Sequence, residues 1–434
     1  MFGENYRNRE GCEHLFTVDP RPIKVGPGAV RELGADAAAL GMRRAAVFTD
    51  STVMKLEPCS HALESLRNAG VEFEVYDLTR VEPTDASFVA AGEFMKSCGA
   101  DGVVSIGGGS VIDTGKAASL LATYPADFLD YVNKPIGAGK AVPGPLPPHI
   151  ACPTTSGTGS ESTAVAVFDL EAQQVKTGIS SRYMKPSLGI IDPEFTYSLP
   201  PLVTAATAFD VLTHAAESYT AIPFTSRPAP EDPAARPPYQ GANPYSDAGS
   251  LEAIRLAGRY LIRAVSDASD HEARNAMMYA ATMAGISFGN AGVHIPHAMS
   301  YSVAGMIRDY QPEGWPRDHA MCPHGISVVV NAPAAFRFTG ASSPQRHLRV
   351  LECLGGDIAD IDATDAGKAL ADRFIEMMRA TGIPNGLSEL GYGESDIPAL
   401  VDGAHRQQRL LTLAPRSVEK RDLEQLYRDA MRYW

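Results

Sequence analysis

The N-terminal half of the chain alternates short apolar runs with segments of helical periodicity. AAVFTD (45–50) and FEVYDL (73–78) have the length and composition of buried strands, and residues 85–98 follow with helical spacing. GVVSIGGGS (102–110) is a further apolar run, and it ends in glycines. Strands that alternate with helices predict a parallel sheet with helical crossovers, so we expect an α/β fold in this half.

A proline-containing boundary separates this half from one of different character. LGIIDPEFTYSLPPL (188–202) carries prolines that interrupt helices. A chain of 434 residues is also long enough for two domains. We therefore predict an α/β domain over residues 1–195 and an all-α domain over residues 196–434. Helical periodicity beyond the boundary is found in residues 204–220, 247–267, 271–288 and 364–381.

The glycine-rich turn GGGSVIDTGKAA (107–118) directly follows the strand-like VVSI and opens a helix. Glycines allow close backbone approach, and amides at a helix N-terminus favour phosphate. The motif is neither GxGxxG nor a P-loop, and a plain strand-to-helix turn is the alternative. Its position between a strand and a helix favours a pyrophosphate site.

A second polar turn, PTTSGTGSE (153–161), offers several hydroxyls that could contact ribose or phosphate, although a simple Ser/Thr-rich turn has the same composition. Asp50 ends its predicted strand and could accept a hydrogen bond from a ribose hydroxyl. The same carboxylate would repel a 2′-phosphate, which favours NAD over NADP.

Candidate metal ligands are concentrated in the second half. Asp210 and His214 lie four residues apart in a predicted helix, on one face, where a carboxylate and an imidazole can share a divalent metal. Such a pair is also common as a surface hydrogen bond. His294, His297 and His324 supply further imidazoles and strengthen the metal interpretation.

The formal net charge of −13 argues against nucleic acid as a partner, because such a surface repels phosphate backbones. No run approaches the roughly 20 apolar residues needed to span a bilayer, so we expect no membrane partner. The N-terminal residues lack an apolar signal core and contain acidic side chains. We therefore expect a cytoplasmic protein.

Taken together, GGGSVIDTGKAA, PTTSGTGSE, FDVLTHAAESY, HIPHAMSY and CPHG resemble the iron-containing (group III) alcohol dehydrogenase family. The resemblance implies a dehydroquinate synthase-like fold, with an α/β dinucleotide-binding domain, an all-α metal-binding domain and the site in the cleft between them. It also implies a homodimer. Segments that resemble the subgroup of transhydrogenases acting on hydroxy acids and oxo acids are VEPTD (81–85), DFLDYV (127–132), RPPYQGANP (236–244), GNAGVHIPHAMSY (289–301) and HRQQRLLTLAP (405–415).

The resemblance assigns roles to individual residues. It implies Fe²⁺, or alternatively Zn²⁺, bound by Asp210, His214, His297 and His324. It implies NAD contacts at Asp50, Gly108, Gly109, Ser110, Asp113, Thr154 and Thr155, with Lys176 near the ribose. Many family members have a HxxxH pattern after the third ligand, whereas this chain has Tyr301 at the second histidine. We assign His294 and Tyr301 to catalysis, and we expect His294 to support a metal ligand or to relay a proton rather than to bind the metal.

The implied reaction transfers hydride between a small hydroxy acid, such as 4-hydroxybutyrate, and an oxo acid, such as 2-oxoglutarate, on bound NAD. A conventional NAD-dependent alcohol dehydrogenase with exchangeable cofactor is the alternative. A dehydroquinate synthase-like lyase and a non-catalytic binding protein fit the motifs less well. Arg308 and Arg317 are candidate cations for the substrate carboxylates, unless they are solvated loop arginines.

Overall fold

The computed structural model describes residues 4–173, 175–233, 236–317 and 319–434. The chain divides into two compact units. The sheet unit comprises Pro20–Leu199, and the helical unit comprises Pro200–Trp434 together with the N-terminal segment through Asp19. The first domain was predicted to begin at residue 1, but this segment belongs to the helical unit. The reason is packing: the ring of Tyr6 contacts Phe224, 5.8 Å between centroids, and its hydroxyl donates to Asp247.

The sheet unit contains a six-stranded parallel sheet, as the alternating pattern predicts. Phe48 pairs with Ser105, which fixes the register of two neighbouring strands. One of these strands precedes Asp50, and the other precedes the glycine-rich turn. In spatial order the strands are β1 (Ile23–Val25), β8 (Leu188–Ile191), β5 (His149–Pro153), β4 (Gly102–Gly107), β2 (Arg44–Phe48) and β3 (Glu72–Tyr76).

Helices and one hairpin complete the sheet unit. The helix predicted at residues 85–98 begins after Thr84, whose hydroxyl accepts from the Ser87 amide at 3.2 Å. An antiparallel hairpin was not predicted; it consists of β6 (Val165–Leu170) and β7 (Val175–Ser180). The helices are α1 (Leu33–Ala39), α2 (Glu57–Asn68), α3 (Asp85–Cys98), α4 (Gly109–Thr123) and α5 (Phe128–Tyr131).

The helical unit has a large apolar core that includes Phe209, Phe288, Phe336 and Phe374, and a smaller cluster contains Tyr6 and Phe224. Its described residues form no β-strand, which agrees with the predicted all-α domain. None of the helices in the described part of the chain combines the length and apolar character needed to cross a membrane. The helices are α6 (Pro201–Thr220), α7 (Pro244–Ser266), α8 (His271–Ala291), α9 (Ile295–Gly305), α10 (His324–Val329), α11 (Ala332–Thr339), α12 (Pro344–Cys353), α13 (Ala366–Thr381), α14 (Ile397–His405), α15 (Gln408–Leu411) and α16 (Lys420–Asp429).

Candidate metal and nucleotide sites

Three helices bring the four predicted metal ligands together. Asp210 and His214 lie one turn apart on α6, His297 lies on α9, and His324 begins α10. One ligand atom from each residue lies within 4.8 Å of the others. The Oδ1 atom of Asp210 is the centre of the group: it lies 3.5 Å from His214 Nδ1, 3.6 Å from His297 Nε2 and 3.8 Å from His324 Nε2.

The residues of this ligand cluster fit a divalent metal ion. Asp210, His214 and His297 are buried. Among the described residues, Asp210 Oδ1, His214 Nδ1 and His297 Nε2 have no hydrogen-bond partner. Buried polar atoms without partners are costly, and a cation between them would satisfy all three. One carboxylate and three imidazoles form a donor set that suits Fe²⁺ or Zn²⁺.

Burial and neighbouring charges oppose one another in the ligand cluster. Burial alone would raise the pKa of Asp210, but His214, His324 and His297 hold it well below its usual range. Burial lowers the pKa of His214 to about 3. Burial would also lower the pKa of His297, yet the Glu217 and Asp210 carboxylates raise it to about 9. Asp210 is therefore ionised and His214 neutral, the forms in which a carboxylate and an imidazole bind a metal.

Glu217 was missed by the sequence analysis, although it is fully buried behind His297. Its Oε2 atom hydrogen-bonds His297 Nδ1, and its Oε1 atom accepts from the amides of His294 (2.9 Å) and His297 (3.3 Å). A carboxylate on the outer nitrogen fixes the ring and leaves Nε2 for a metal. Its spacing, three residues after His214 and seven after Asp210, placed it on the same helix face.

His294 is buried at the start of α9, where its ring caps the helix. Its Nδ1 atom accepts from the Ile295 amide at 2.8 Å, so Nε2 carries the proton toward Thr220 Oγ1 at 3.0 Å. These contacts explain why the ring is fixed beside Glu217. The role of His294 in proton relay stays a prediction.

The side chains at the other predicted positions of the helical unit have different environments. Tyr301 lies one turn beyond His297 on α9, and its hydroxyl accepts from Arg409 Nη2 at 3.1 Å. Its assignment to catalysis also stays a prediction. Arg308 forms a two-pronged ion pair with Asp396, at 2.8 and 3.1 Å, and Arg317 is exposed. Arg308 is therefore already neutralised, which weakens its candidacy as a substrate-binding cation.

The predicted nucleotide residues lie where the order of the sheet reverses. Strands β2 and β4 are neighbours, and the crossover from β2 to β3 runs along the sheet in the opposite direction to the crossover from β4 to β5. Asp50 follows β2, and the glycine-rich turn follows β4. Because both strands are parallel neighbours, the two lie at the same carboxyl edge, at a topological switch point where dinucleotides bind in such sheets.

The two polar turns are adjacent at this edge. The Thr154 amide donates to the Gly107 carbonyl at 3.1 Å. A Cβ atom at Gly109 would lie only 2.7 Å from the Thr158 side chain, and one at Gly108 would lie 3.6 Å from Thr155 Oγ1. Gly109 thus lets α4 begin against the second turn, with its first amides near the threonines.

Two of the residues predicted to contact the nucleotide accept hydrogen bonds from backbone amides of the protein. Asp50 Oδ1 accepts from the amides of Thr52 (2.8 Å) and Val53 (3.0 Å). The Ser110 hydroxyl accepts from the Glu82 amide at 3.2 Å. These hydrogen bonds orient the side chains without using their full bonding capacity.

Asp113 and Lys176 belong to buried charge networks. The two oxygens of Asp113 accept from Lys116 Nζ (3.1 Å), from the Ser160 hydroxyl and from the Val167 amide (2.9 Å). Lys176 Nζ contacts Glu82 at 2.5 Å and Asp169 at 3.0 Å. Both residues connect the hairpin to the glycine-rich region, and their contacts to NAD stay predictions.

Solved structures with the same fold are alcohol dehydrogenases and related enzymes. A 1,3-propanediol oxidoreductase has a TM-score of 0.84 and 29% identity, over 96% of this chain and 100% of that chain. Sulfoacetaldehyde reductase from Bifidobacterium kashiwanohense, solved in complex with NAD⁺, has a TM-score of 0.77 and 27% identity, over 95% of this chain and 98% of that chain. The likeness confirms the predicted fold class.

A full-length relative is "Hydroxyacid-oxoacid transhydrogenase, mitochondrial" from Rattus norvegicus, which is 46% identical over 97% of this chain and 91% of that protein. The similar proteins of Bos taurus and Homo sapiens carry the same name. The predicted cytoplasmic location is contradicted by these mitochondrial relatives. That prediction rested on the N-terminal residues alone, which do not determine location.

Family models match both units. "Iron-containing alcohol dehydrogenase" matches residues 20–193, and "Fe-containing alcohol dehydrogenase family, C-terminal" matches residues 239–431. The first match lies within the sheet unit and the second within the helical unit. The chain therefore belongs to the iron-containing alcohol dehydrogenase family of oxidoreductases.

Proposed function

We propose that this enzyme transfers hydride between a small hydroxy acid, such as 4-hydroxybutyrate, and an oxo acid, such as 2-oxoglutarate, through bound NAD. The observation that carries the proposal is the ligand cluster, whose buried Asp210, His214 and His297 atoms lack partners among the described residues. The choice of substrates is supported by the 46% identity to relatives named as hydroxyacid-oxoacid transhydrogenases.

The ligand cluster would hold Fe²⁺ through Asp210, His214, His297 and His324, with Zn²⁺ as the alternative because the donor set accepts both ions. A bound ion would polarise the substrate oxygen, and NAD would accept the hydride and return it. Glu217 keeps His297 oriented through its outer nitrogen. Asp210, His214 and His297 are buried, which strengthens the electrostatic interactions among them.

We assign NAD to the carboxyl edge of the sheet unit. Gly108, Gly109 and Ser110 at the start of α4 would receive the pyrophosphate, and Thr154 and Thr155 lie on the adjacent turn. Asp50 would bind the adenosine ribose and exclude a 2′-phosphate. Asp113 and Lys176 would support this edge through their buried networks.

His294 and Tyr301 are the proposed catalytic side chains of this chain. His294 shares the Glu217 carboxylate with His297, and Tyr301 lies one turn from His297. The chain is also proposed to form a homodimer. Strand β1 lies at an edge of the sheet and Val25 is exposed there, as a strand available for pairing would be.

The test separates a bound from an exchangeable cofactor. The protein is purified with Fe²⁺, free nucleotide is removed by gel filtration, and 4-hydroxybutyrate and 2-oxoglutarate are added without NAD. The proposal predicts turnover, with semialdehyde and 2-hydroxy acid identified by mass spectrometry. If turnover begins only when NAD is added, and NADH then accumulates from an alcohol alone, the enzyme is a conventional dehydrogenase.

A further inference from the structure

Arg409 is a half-buried cation on α15 that contacts two tyrosines. Its Nη2 atom donates to the Tyr301 hydroxyl at 3.1 Å, and its guanidinium carbon lies 6.0 Å from the centre of the Tyr239 ring. No Asp or Glu among the described residues forms an ion pair with Arg409. Two phenols cannot use the five N–H donors of a guanidinium, so some of these donors are available to a ligand.

Two other half-buried arginines of the helical unit do have acidic partners, whereas half-buried Arg227 donates to the Tyr239 carbonyl. Arg346 pairs with Asp247 at 2.5 Å, and Arg236 pairs with Glu13 at 2.9 Å. A partly desolvated cation is costly unless an anion neutralises it. Burial would lower the pKa of Arg409, but Tyr301 and Tyr239 raise it, so the guanidinium stays charged. Arg409 therefore lacks a counter-ion of the kind that Arg346 and Arg236 have.

Both tyrosines connect Arg409 to helices that form or contact the ligand cluster. Tyr301 lies four residues after His297, and side chains at this spacing share one face of a helix, about 5–6 Å apart at Cβ. The segment that contains Tyr239 is hydrogen-bonded to the end of α8, where the Gln240 amide donates to the Asn290 carbonyl at 2.8 Å. The same helix carries Phe288, which stacks on His214 with ring centres 3.9 Å apart.

Three segments that the sequence analysis singled out thus meet at one place. Tyr301 stands where the HxxxH pattern is broken, Tyr239 belongs to RPPYQGANP (236–244), and Arg409 belongs to HRQQRLLTLAP (405–415). A guanidinium is well suited to a carboxylate, because its planar fork can bind both oxygens. A phenol on either side adds a donor and an apolar wall.

We propose that Arg409, flanked by Tyr301 and Tyr239, binds the carboxylate that the hydroxy acid and the oxo acid substrates share. This inference rests on the proposed function and adds the residue that selects acids over neutral alcohols. Because both substrates are carboxylates, one binding group serves both half-reactions. The site takes a monoanionic carboxyl group at the end of a short aliphatic chain.

The experiment compares 4-hydroxybutyrate with 1-butanol, which has the same carbon chain without the carboxylate. In Arg409→Gln, the ratio of kcat/KM for the acid to kcat/KM for the alcohol should fall about 100-fold, mainly through KM for the acid, because a charge-assisted pair is lost. Arg409→Lys should recover part of the ratio. The matched control is Arg406→Gln, since Arg406 is exposed in the same segment and should leave the ratio unchanged.

The outcomes distinguish this inference from the proposed function. If kcat/KM falls equally for the acid and the alcohol in a folded Arg409→Gln protein, Arg409 is purely structural and the inference is overturned. A wild-type enzyme that oxidises 1-butanol but no hydroxy acid would overturn the proposed function instead. Should Arg409→Gln fail to fold, butyrate binding to wild type and Arg409→Lys decides: we expect about 10-fold weaker binding by the lysine variant, and equal binding overturns the inference.

Discussion

The Glu217 carboxylate should control metal affinity without touching the ion, and Glu217→Gln isolates that effect. In the structure its Oε1 atom faces two amide donors and its Oε2 atom faces His297 Nδ1. A glutamine keeps its oxygen on the amides and then directs its NH₂ group at Nδ1. The imidazole must respond by accepting there, which moves its proton to Nε2, the atom needed for the metal.

Loss of such an outer carboxylate costs about 10–100-fold in metal affinity, or roughly 1.4–2.7 kcal/mol. We expect a loss of about 100-fold, because the glutamine cannot avoid the problem by rotating its amide group. The rotated amide would place its NH₂ group against the two backbone amide donors. The assay is competition of the metal-free protein with a chelator for Zn²⁺ and Fe²⁺. Glu272→Gln is the control, since Glu272 lies on α8 and pairs with Arg263 at the surface. Unchanged affinity in Glu217→Gln would refute this reasoning.

Three further predictions concern other parts of the chain. Gly325→Ala should destabilise the helical unit by about 1–3 kcal/mol and weaken metal binding, because its Cβ would overlap the Ala206 carbonyl next to Asp210; unaltered chemical denaturation would contradict this. Burial raises the pKa of Glu161 to about 7, so stability contributed by its neutral form is present below its unfolded pKa and is lost as pH rises through 7. The free energy of unfolding of Glu161→Gln, relative to that of wild type, should therefore rise by up to about 3 kcal/mol between pH 5 and pH 8.5. A difference that does not change with pH would argue against this. Asp50→Asn should raise the NADP-to-NAD binding ratio in fluorescence titrations, and a constant ratio would exclude Asp50 from the ribose site.

Much of the architecture was predictable because the relevant signals are local. Helix α3 has the bounds that residues 85–98 predict, and the strand before the glycine-rich turn is followed directly by α4. Asp210 and His214 share a helix face, as their spacing predicts. Periodicity and spacing were sufficient for these features, whereas the complete set of four ligands was implied by the family resemblance.

What escaped prediction depends on contacts between distant parts of the chain. Glu217 acquires its importance only when α9 packs against α6, and Arg409 only when α15 lies beside Tyr301. The N-terminal segment joins the helical unit through Tyr6, whose partner Asp247 is 241 residues away. The hairpin β6–β7 pairs Asp169 with Lys176, and their charges gave no strand signal.

The same contacts revise how individual predicted residues should be tested. Asp113 and Lys176 are already bound to protein partners, so replacing either one will disturb the fold of the sheet unit as well as any nucleotide contact. Gly109 and Thr155 can be tested more directly, because they lie at the two turns without belonging to a buried ion pair.

The proposed function requires that hydride passes from one acid to the other on NAD that does not leave the protein. The direct measurement uses 4-hydroxybutyrate deuterated at C4, unlabelled 2-oxoglutarate and a large excess of unlabelled NADH in solution. We expect that the 2-hydroxy acid product carries deuterium at C2 in spite of that excess. Product without deuterium would mean that hydride exchanges with the free NADH pool, and it would contradict a captive cofactor.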